Sequence, residues 1–211
     1  MIDQARASGP ARIAVQLYRG NKFKKLVKPF AVKAISAFWL RFYKVKYGKR
    51  VEFGRNFVSR GNLVVRGPGR VVFGDNVNAW SHAEKNVLIT FTPEARIIIG
   101  DGCRLNGAGI QAYRQVRIGP RCILSSTIIV DTDFHPLDPA TRHDHDAPVV
   151  CAPIIIGENV WLAGQTAILK GVTIGDNSVV GFRAVVTKDV PPNVVVGGNP
   201  ARIVKRLDEG A

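Results

Sequence analysis

IGENVW LAGQTA ILKGVT IGDNSV VGFRAV VTKDVP, residues 156–191, divides into six consecutive blocks of six residues without a gap. The blocks begin with aliphatic residues: Ile156, Leu162, Ile168, Ile174, Val180 and Val186. The fifth residue of each block is small or β-branched: Val160, Thr166, Val172, Ser178, Ala184 and Val190. A period of six residues fits neither an amphipathic helix nor a meander of hairpins. It predicts a three-sided solenoid, in which three short strands form one coil and each coil covers the hydrophobic face of the preceding coil.

The opening of these blocks recurs earlier in the chain, which extends the predicted solenoid back to Val51. Six glycines follow Phe or Ile at equivalent positions, spaced 20, 26, 19, 38 and 18 residues apart: Gly54, Gly74, Gly100, Gly119, Gly157 and Gly175. Eighteen residues correspond to one coil, so the two longest spacings indicate insertions, a small one within 79–97 and a large polar one at 131–153. Asp and Asn after these glycines are expected at the corners, because they tolerate the left-handed backbone of a tight turn.

The positive charge of the chain is concentrated at its N-terminus. The formal net charge is +14, and residues 1–50 carry 13 Lys and Arg residues against the single acid Asp3, which leaves +2 for residues 51–211. Helical spacing of apolar residues predicts a basic amphipathic arm over residues 1–50, with Pro29 opening a helix. The predicted apolar stripe consists of Val27, Phe30, Ala31, Ala34, Ile35, Phe38 and Phe42.

The predicted arm could contact an anionic membrane, the core of the same chain or nucleic acid. An anionic membrane surface attracts cations and accepts apolar side chains, so residues 22–50 suit a peripheral membrane contact. Alternatively, the helix packs its apolar stripe on the core and leaves its lysines in water. Nucleic acid is not expected, because charge alone favours it and no groove-reading motif is present. The longest apolar stretch, residues 30–40, is about half the roughly 20 residues that a membrane-spanning helix requires.

The cysteines and the N-terminus indicate a cytoplasmic protein. Cys103, Cys122 and Cys151 are few, odd in number and without a pattern, which predicts a reducing compartment and no disulfide framework. Cys103 and Cys122 fall at small inward positions of their blocks, so we expect them to fill the core. The N-terminal residues lack an apolar run ahead of a small-residue cleavage site, so we expect no signal peptide.

The inserted loop 131–153 is the candidate site for chemistry, because long loops on rigid scaffolds commonly carry function. His135 follows a complete coil and stands two residues after Asp133, which suits an imidazole that transfers protons near neutral pH. A metal site and a nucleophilic Cys151 are the alternatives at this point. The candidate metal ligands, which lack a recurring ligand spacing, are Asp133, His135, His143, Asp144 and His145.

Five motifs carry a resemblance to a known family: DFHPLDP (133–139), IGENVW (156–161), GVTIGDNS (171–178), VTKDVPP (186–192) and GNPAR (198–202). Together they resemble the hexapeptide-repeat acyltransferases, in the branch of galactoside, maltose and polysaccharide O-acetyltransferases, over roughly residues 51–207. The resemblance implies an all-β fold, a left-handed parallel β-helix over residues 51–198, which is an exception to the right-handed crossover rule. It also implies a homotrimer with active sites between neighbouring subunits, and a C-terminal tail, 199–211, that binds CoA phosphates.

The resemblance also implies the site residues, with acetyl-CoA as co-substrate and no metal. His135 would act as general base, removing the proton of an acceptor hydroxyl as its oxygen attacks the thioester, without a covalent enzyme adduct. Asn106 and Asp133 would lie beside the acceptor. The positions implied along CoA are Trp161, Gly164, Phe182, Thr187 and Lys188, with Arg202 and Lys205 at its phosphates.

Several positions depart from the family pattern. Lys205 stands where arginine is usual, Phe182 is bulkier than usual, and Gly164 lacks a hydroxyl that some relatives have. Residues 111–114 contain no acid, although the galactoside enzymes hold their sugar with one there. We therefore expect a different carbohydrate acceptor. With the basic arm, this indicates a cell-surface polysaccharide or its lipid-linked precursor, modified at the inner face of the cytoplasmic membrane.

Three other functions are compatible with parts of the sequence. An N-acyltransferase on an amino sugar or nucleotide sugar would use the same loop and His135, and screening amines against hydroxyls would separate it. A zinc carbonic anhydrase of the same fold requires three histidine ligands at inter-coil spacing, which the four histidines of the chain do not supply. A non-catalytic scaffold would not consume acetyl-CoA.

Overall fold

The computed structural model describes residues 22–82, 84–144 and 146–207 of the 211-residue chain, and the side chains of residues 22–29 are not described. The beginning of the predicted arm (1–21), the metal-ligand candidate His145 and the end of the predicted tail (208–211) lie outside the described residues.

Three six-stranded sheets form the faces of a solenoid. Face A contains β1 (Val51–Phe53), β3 (Arg70–Phe73), β5 (Arg96–Ile99), β8 (Gln115–Ile118), β11 (Ile154–Ile156) and β14 (Thr173–Ile174). Face B contains β6 (Arg104–Asn106), β9 (Ile123–Ser125), β12 (Trp161–Leu162), β15 (Val179–Val180), β17 (Val194–Gly197) and β18 (Arg202–Arg206). Face C contains β2 (Leu63–Arg66), β4 (Asn86–Thr90), β7 (Gly109–Ala112), β10 (Ile128–Val130), β13 (Ala167–Ile168) and β16 (Val185–Val186).

The chain visits the faces in the order A, B, C and pairs each strand in parallel with the equivalent strand of the next coil. Ile118, Ile156 and Ile174 are register partners in three successive coils. The final strand β18 differs, because it pairs antiparallel with β17. The architecture is a left-handed parallel β-helix of about seven coils, which confirms the predicted fold class.

The first and fifth residues of the six-residue blocks form the core of this solenoid. The six aliphatic block starts between residues 156 and 186 are no more than 1% exposed, and the small residues at the fifth positions are no more than 5% exposed. Thr166 is among these buried residues, and its hydroxyl is satisfied by a hydrogen bond to the Thr127 hydroxyl at 2.7 Å. Large and small residues thus alternate in the interior where one coil stacks on the next, and the buried Thr166 hydroxyl among them has a hydrogen-bond partner.

The corners between faces A and B have the left-handed asparagines that the sequence predicts, and they give the repeated glycines a separate role. The left-handed residue is the asparagine two positions after the glycine, with φ of 55° at Asn159 and 59° at Asn177. The glycine is required by close approach of the next coil, because a Cβ on Gly119 would lie 2.5 Å from the carbonyl oxygen of Gly157. The asparagines form a ladder, in which the Asn159 side-chain amide donates to the Asn177 side-chain oxygen at 3.0 Å.

Replacing Gly119 with alanine is expected to lower the free energy of unfolding by about 1–3 kcal/mol, because the new methyl group meets backbone that cannot move without separating two coils. Urea denaturation measures the change. Gly109→Ala is the matched control, since a Cβ there would meet its nearest atom at an ordinary 3.7 Å. Equal stability of the two variants would contradict the close-packing explanation.

Cys103 and Cys122 are confirmed as core residues. Both are free thiols and fully buried, and their sulfurs lie 3.1 Å from the carbonyl oxygens of Gly119 and Gly157. The neighbouring Cys122 and burial raise the pKa of the Cys103 thiol far above its ordinary value. Cys103 is therefore held as an unreactive neutral thiol.

In the described part of residues 1–50, a long helix precedes the solenoid. Helix α1 (Lys22–Tyr47) is followed by a 3-10 turn (Gly48–Arg50) that leads into β1. The prediction that Pro29 opens the helix is wrong, because α1 already begins at Lys22. In the part of the chain that the structure describes, α1 and the other elements include no helix long and apolar enough to cross a membrane.

Helix α1 packs on the first coil with a different face from the one predicted. Ser36, Tyr43 and Tyr47 are buried, and the Tyr43 ring stacks on Phe53 at 6.1 Å. The hydroxyl of Tyr43 accepts the backbone N–H of Leu63 at 3.3 Å, one of several polar contacts with the edge strand β2. Burial of Tyr43 raises the pKa of its hydroxyl, which therefore stays protonated.

The predicted apolar stripe of α1 is exposed. Phe30, Phe38 and Phe42 are 77%, 66% and 44% exposed, and Ile35 is 42% exposed. The alternative in which this stripe packs on the core does not hold for these four residues, because the tyrosines of the opposite face make the contacts with the first coil, with their hydroxyls at the backbone N–H groups of β2. The helix thus has one face on the solenoid and a second, aromatic face in solvent.

Candidate active site

The inserted loop leaves the solenoid at the C–A corner, where the strands of face C end and those of face A begin. Its two ends are joined at the base by an antiparallel bridge between Thr132 and Cys151. Two backbone hydrogen bonds flank the bridge, from Asp133 N–H to the Val150 oxygen at 3.0 Å and from Ala152 N–H to the Asp131 oxygen at 2.9 Å. The base of the loop is therefore fixed, although most of the loop is exposed.

Asp131 ties the loop to the preceding coil. Its side chain is fully buried, and its carboxylate accepts three backbone N–H groups, from Tyr113 at 2.6 Å, Arg114 at 2.7 Å and Gln115 at 2.8 Å. Hydrogen bonds to a charged acceptor are stronger than neutral ones. This role was not predicted, because the partners lie 16 to 18 residues earlier in the chain.

His135 is presented by a tight turn at the start of the loop. The His135 N–H donates to the Asp133 oxygen at 2.8 Å across Phe134, whose φ is 62°. A three-residue turn with positive φ at its centre is rare and strained, and a bulky residue seldom adopts it. Such strain persists only where the surroundings hold it, and here the Thr132 hydroxyl accepts the Phe134 N–H at 3.1 Å. The turn leaves His135 exposed to solvent.

Asp133 is anchored by a residue that the sequence did not point to. Lys170, from the following coil, places its ammonium 2.6 Å from one carboxylate oxygen of Asp133, and the two side chains are 30% and 19% exposed. The other carboxylate oxygen, Oδ2, is buried and has no hydrogen-bond partner among the described residues. Asp133 therefore has one carboxylate oxygen held by Lys170 and one buried oxygen without a partner among the described residues.

Three aromatic rings meet next to the His135 turn. Tyr113 stacks on Phe91 with ring centroids 5.7 Å apart and planes 19° apart, and Phe91 meets Phe134 edge-on at 5.5 Å. We call Phe91, Tyr113 and Phe134 the aromatic wall. Phe91 and Phe134 are each 39% exposed, so the wall borders solvent rather than the core.

A cavity of about 490 Å³ opens at the same corner. Its lining includes Glu94, Arg96, Tyr113, Arg114 and Gln115, with Cys151 from the base of the loop. Its volume is in the range of small-molecule sites. Tyr113 lines this C–A cavity and also belongs to the aromatic wall, so the two features are continuous.

A second cavity, of about 240 Å³, lies at the last coil. Lys188, predicted to lie along CoA, and Arg202, predicted at the CoA phosphates, line it together. Lys205 does not line it and lies further along β18, opposite Val195. Thr187 follows β16, so Thr187 and Lys188 lie at the C–A corner, two coils beyond the start of the inserted loop.

The remaining predicted residues lie elsewhere. Gly164 and Phe182 meet at the B–C corner, where a Cβ on Gly164 would lie 3.1 Å from the Phe182 ring. Asn106 ends β6 near this corner and accepts the His82 N–H with its side-chain oxygen at 3.2 Å. Trp161 begins β12 on face B and is 47% exposed.

One chain therefore does not bring all predicted site residues together. The described contacts of the His135 turn are at the C–A corner, whereas Asn106, Gly164 and Phe182 are near the B–C corner. The strands of face C, two to five residues long, separate the two corners. At roughly 3.3 Å per residue, this is a separation of about 7–17 Å along the strands.

The candidate metal ligands Asp133, His135, His143 and Asp144 of the inserted loop lie within the described residues. In the described ranges, no group of three or more His, Cys, Asp or Glu side chains is arranged to hold a metal ion. The loop candidate His145 lies outside these ranges.

Comparison with known proteins identifies the family. The model for bacterial transferase hexapeptide (six repeats) matches residues 153–188. An acetyltransferase assigned to colanic acid biosynthesis, WcaF of Escherichia coli (strain K12), is 32% identical over 173 residues, covering 82% of this chain and 75% of the relative. Galactoside O-acetyltransferase of the same strain is 33% identical over 148 residues, 70% of this chain, and the chain spans 63% of that enzyme's length.

A solved structure is similar as well. A hexapeptide-repeat acetyltransferase from Vibrio cholerae O1 biovar eltor, crystallised with acetyl-coenzyme A, is 30% identical with a TM-score of 0.50, covering 75% of this chain and 72% of that chain. From its coil architecture, its repeat and its likeness to WcaF over most of both chains, this chain belongs to the hexapeptide-repeat acyltransferase family.

Proposed function

We propose that this chain transfers the acetyl group of acetyl-CoA to a sugar hydroxyl of a cell-surface polysaccharide or its lipid-linked precursor. The observation that carries the proposal is His135, an exposed imidazole on a strained turn at the fixed base of the loop. Phe134 of this turn connects through the aromatic wall to Tyr113, which lines the C–A cavity. The name of the relative WcaF, which places that protein in colanic acid biosynthesis, supports a polysaccharide acceptor.

His135 acts as general base in this proposal. Its imidazole takes the proton of the acceptor hydroxyl while the hydroxyl oxygen forms a bond to the acetyl carbonyl carbon. The carbon–sulfur bond then breaks, and the CoA thiolate leaves with the proton that His135 returns. Because no covalent bond to the chain forms, rate depends on holding acceptor and donor in attack geometry. The Asp133–Lys170 ion pair supports that geometry, since it anchors the residue that opens the His135 turn.

In this proposal, the second cavity receives the phosphate end of CoA. Lys188 and Arg202 line it together, and cations with hydrogen-bond donors are suited to phosphate oxygens. In the proposed complex, Lys205 adds a third cation and Thr187 lies beside Lys188. Gly164, Phe182 and Trp161 form the wall along the pantetheine arm, and Asn106 lies near the acceptor.

A homotrimer would join the two separated groups of residues. We propose that the C–A corner of one chain, with His135, Thr187 and Lys188, faces the B–C corner of the next chain, with Gly164 and Phe182. Mixed trimers test this arrangement: His135→Ala and Gly164→Trp chains, each inactive alone, should recover activity when mixed. Recovery requires sites built from two chains, so no recovery in verified mixed trimers would argue against shared sites.

The assay of the function is release of free thiol from acetyl-CoA with a panel of glycan acceptors. We expect turnover with hydroxyl acceptors and O-acetylated product by mass spectrometry. Transfer to free amines alone would instead support an N-acyltransferase, and no thiol release with any glycan would contradict the proposed function.

Helix α1 is proposed to place the enzyme on the cytoplasmic face of an anionic membrane. Its solvent face carries Phe30, Phe38 and Phe42, while exposed cations such as Arg41 and Lys44 flank them. Aromatic side chains enter the headgroup region and each nearby cation contributes about 1 kcal/mol of attraction.

Sedimentation with phosphatidylglycerol vesicles tests the membrane contact. The variant with Phe30, Phe38 and Phe42 all replaced by serine is expected to bind at least about tenfold more weakly than the parent chain. These side chains are exposed, so the fold should tolerate the change, unlike deletion of residues 1–50, which removes buried Tyr43. Val204→Ser, an exposed apolar change on β18, is the control. Undiminished binding of the triple variant would exclude α1 as the anchor.

A further inference from the structure

The C–A cavity has the construction of a preformed binding site. The backbone of Tyr113, Arg114 and Gln115 is held by the buried Asp131 carboxylate. Across the cavity, the Thr92 hydroxyl donates to the Tyr113 oxygen at 3.0 Å and accepts the Ala95 N–H at 3.1 Å. Both sides of the opening are therefore fixed to each other before any ligand binds, which lowers the entropic cost of binding.

Two arginines at this cavity carry unused positive charge. Arg96 and Arg114 are exposed and line the cavity, and their guanidinium groups have no ion pair or hydrogen bond among the described residues. Some other arginines of the solenoid are paired, among them Arg55 with Asp75 and Arg70 with Glu52. Glu94 is the single acid among the described lining residues, so that lining carries a net positive charge. A guanidinium group presents a planar pair of donors that matches a carboxylate.

Next to the charged C–A cavity, the aromatic wall supplies the apolar surface that a carbohydrate site also requires. The C–H face of a sugar ring is apolar and packs on aromatic rings, while its hydroxyls require polar partners, which Gln115 and Glu94 provide. Through Tyr113 and Phe91, the wall runs from the cavity to Phe134, the residue that precedes His135. A glycan along this path would have one residue in the cavity and a neighbouring residue beside the proposed base.

We propose that the C–A cavity binds a carboxylate-bearing sugar residue of the acceptor glycan, with Arg96 and Arg114 at the carboxylate and the adjacent sugar residue lying along Phe91 and Phe134. The proposal rests on the proposed function for the acceptor's identity as a glycan. It adds a substrate class, the acidic glycans, and a set of residues that selects it.

Binding without acetyl-CoA tests the subsite separately from turnover. Isothermal titration of the full chain would use trigalacturonic acid, a glucuronate-containing hyaluronan tetrasaccharide and a sialic acid dimer, each against its carboxyl methyl ester. We expect at least one acid to bind about tenfold more tightly than its ester, and Arg96→Gln or Arg114→Gln to remove that preference. Arg117→Gln is the matched control, because Arg117 is exposed on the same face A but does not line the cavity.

The aromatic wall is tested by a different signature. Phe91→Leu should weaken binding of an acid and of its ester by the same factor, because stacking does not sense the carboxyl charge. No preference for acids across the panel, or a preference that survives both arginine substitutions, would overturn the subsite. A changed sedimentation coefficient in Arg96→Gln or Arg114→Gln would also overturn it, by showing that these arginines are subunit contacts.

The failure of this subsite and the failure of the proposed function give different results. Thiol release with glycans that shows no preference for carboxylated acceptors would contradict the subsite alone. Acid-selective binding without acetyl transfer to any bound glycan would contradict the proposed function and leave the subsite standing.

Discussion

Replacing His135 with alanine is expected to lower kcat by about 10²- to 10⁴-fold, because the acceptor hydroxyl would lose the group that takes its proton. Thiol release from acetyl-CoA under saturating acceptor measures the loss. His135 is exposed on a loop, so the substitution should leave the unfolding transition unchanged.

His143→Ala is the matched control, since His143 is an exposed imidazole in the same loop. We expect its activity to stay near that of the parent chain. A loss of less than about tenfold in His135→Ala would argue against general-base catalysis. An equal loss of kcat in both variants would indicate that the activity depends on the structure of the loop and not on the His135 imidazole itself.

Replacing Asp131 with asparagine is expected to lower the free energy of unfolding by about 2–4 kcal/mol, because one amide oxygen cannot accept the three backbone N–H groups that the carboxylate accepts. At least one buried donor would be left unpaired, and the amide of the new side chain would point toward other donors. Urea denaturation with far-UV circular dichroism measures the change.

Asp138→Asn is the control for this prediction. Asp138 lies exposed in the same loop and accepts a single backbone N–H, that of Ala140, at 2.9 Å. Its substitution should cost less than about 1 kcal/mol. If Asp131→Asn is equally mild, the carboxylate does not hold the 113–115 corner in the way its distances indicate.

The solenoid was predictable because its constraint repeats in the sequence. Every coil must place a large side chain against the previous coil and a small one at the corner. The six-residue spacing alone therefore predicts that Ile156, Leu162 and Ile168 are buried, as they are. The left-handed corner residue was predictable in kind, since Asn159 and Asn177 are residue types that tolerate positive φ. His135 was singled out by its place in a long insertion and by its motif.

The supports of the site were not predictable, because they pair residues from different coils. Lys170 meets Asp133 across 37 residues, and Asp131 reaches back to Tyr113 across 18. The six-residue repeat predicts which positions are buried but not which polar side chains from different coils pair with each other. The face of α1 that packs on the solenoid was not predictable for a related reason. Tyr43 and Tyr47 are less apolar than the phenylalanines, but their hydroxyls meet backbone N–H groups that only the folded first coil presents.

The first and last coils are the two ends of the solenoid, where strand edges could pair with another copy of the chain. A stack of identical rungs has no natural length, and each end of it displays unpaired backbone and apolar surface to which another copy can add. At one end the tyrosine hydroxyls of α1 accept two backbone N–H groups of β2, and at the other β18 pairs with β17 in the opposite direction. Helix α1 and strand β18 therefore occupy strand edges with which a further coil, or a second copy of the chain, would otherwise pair.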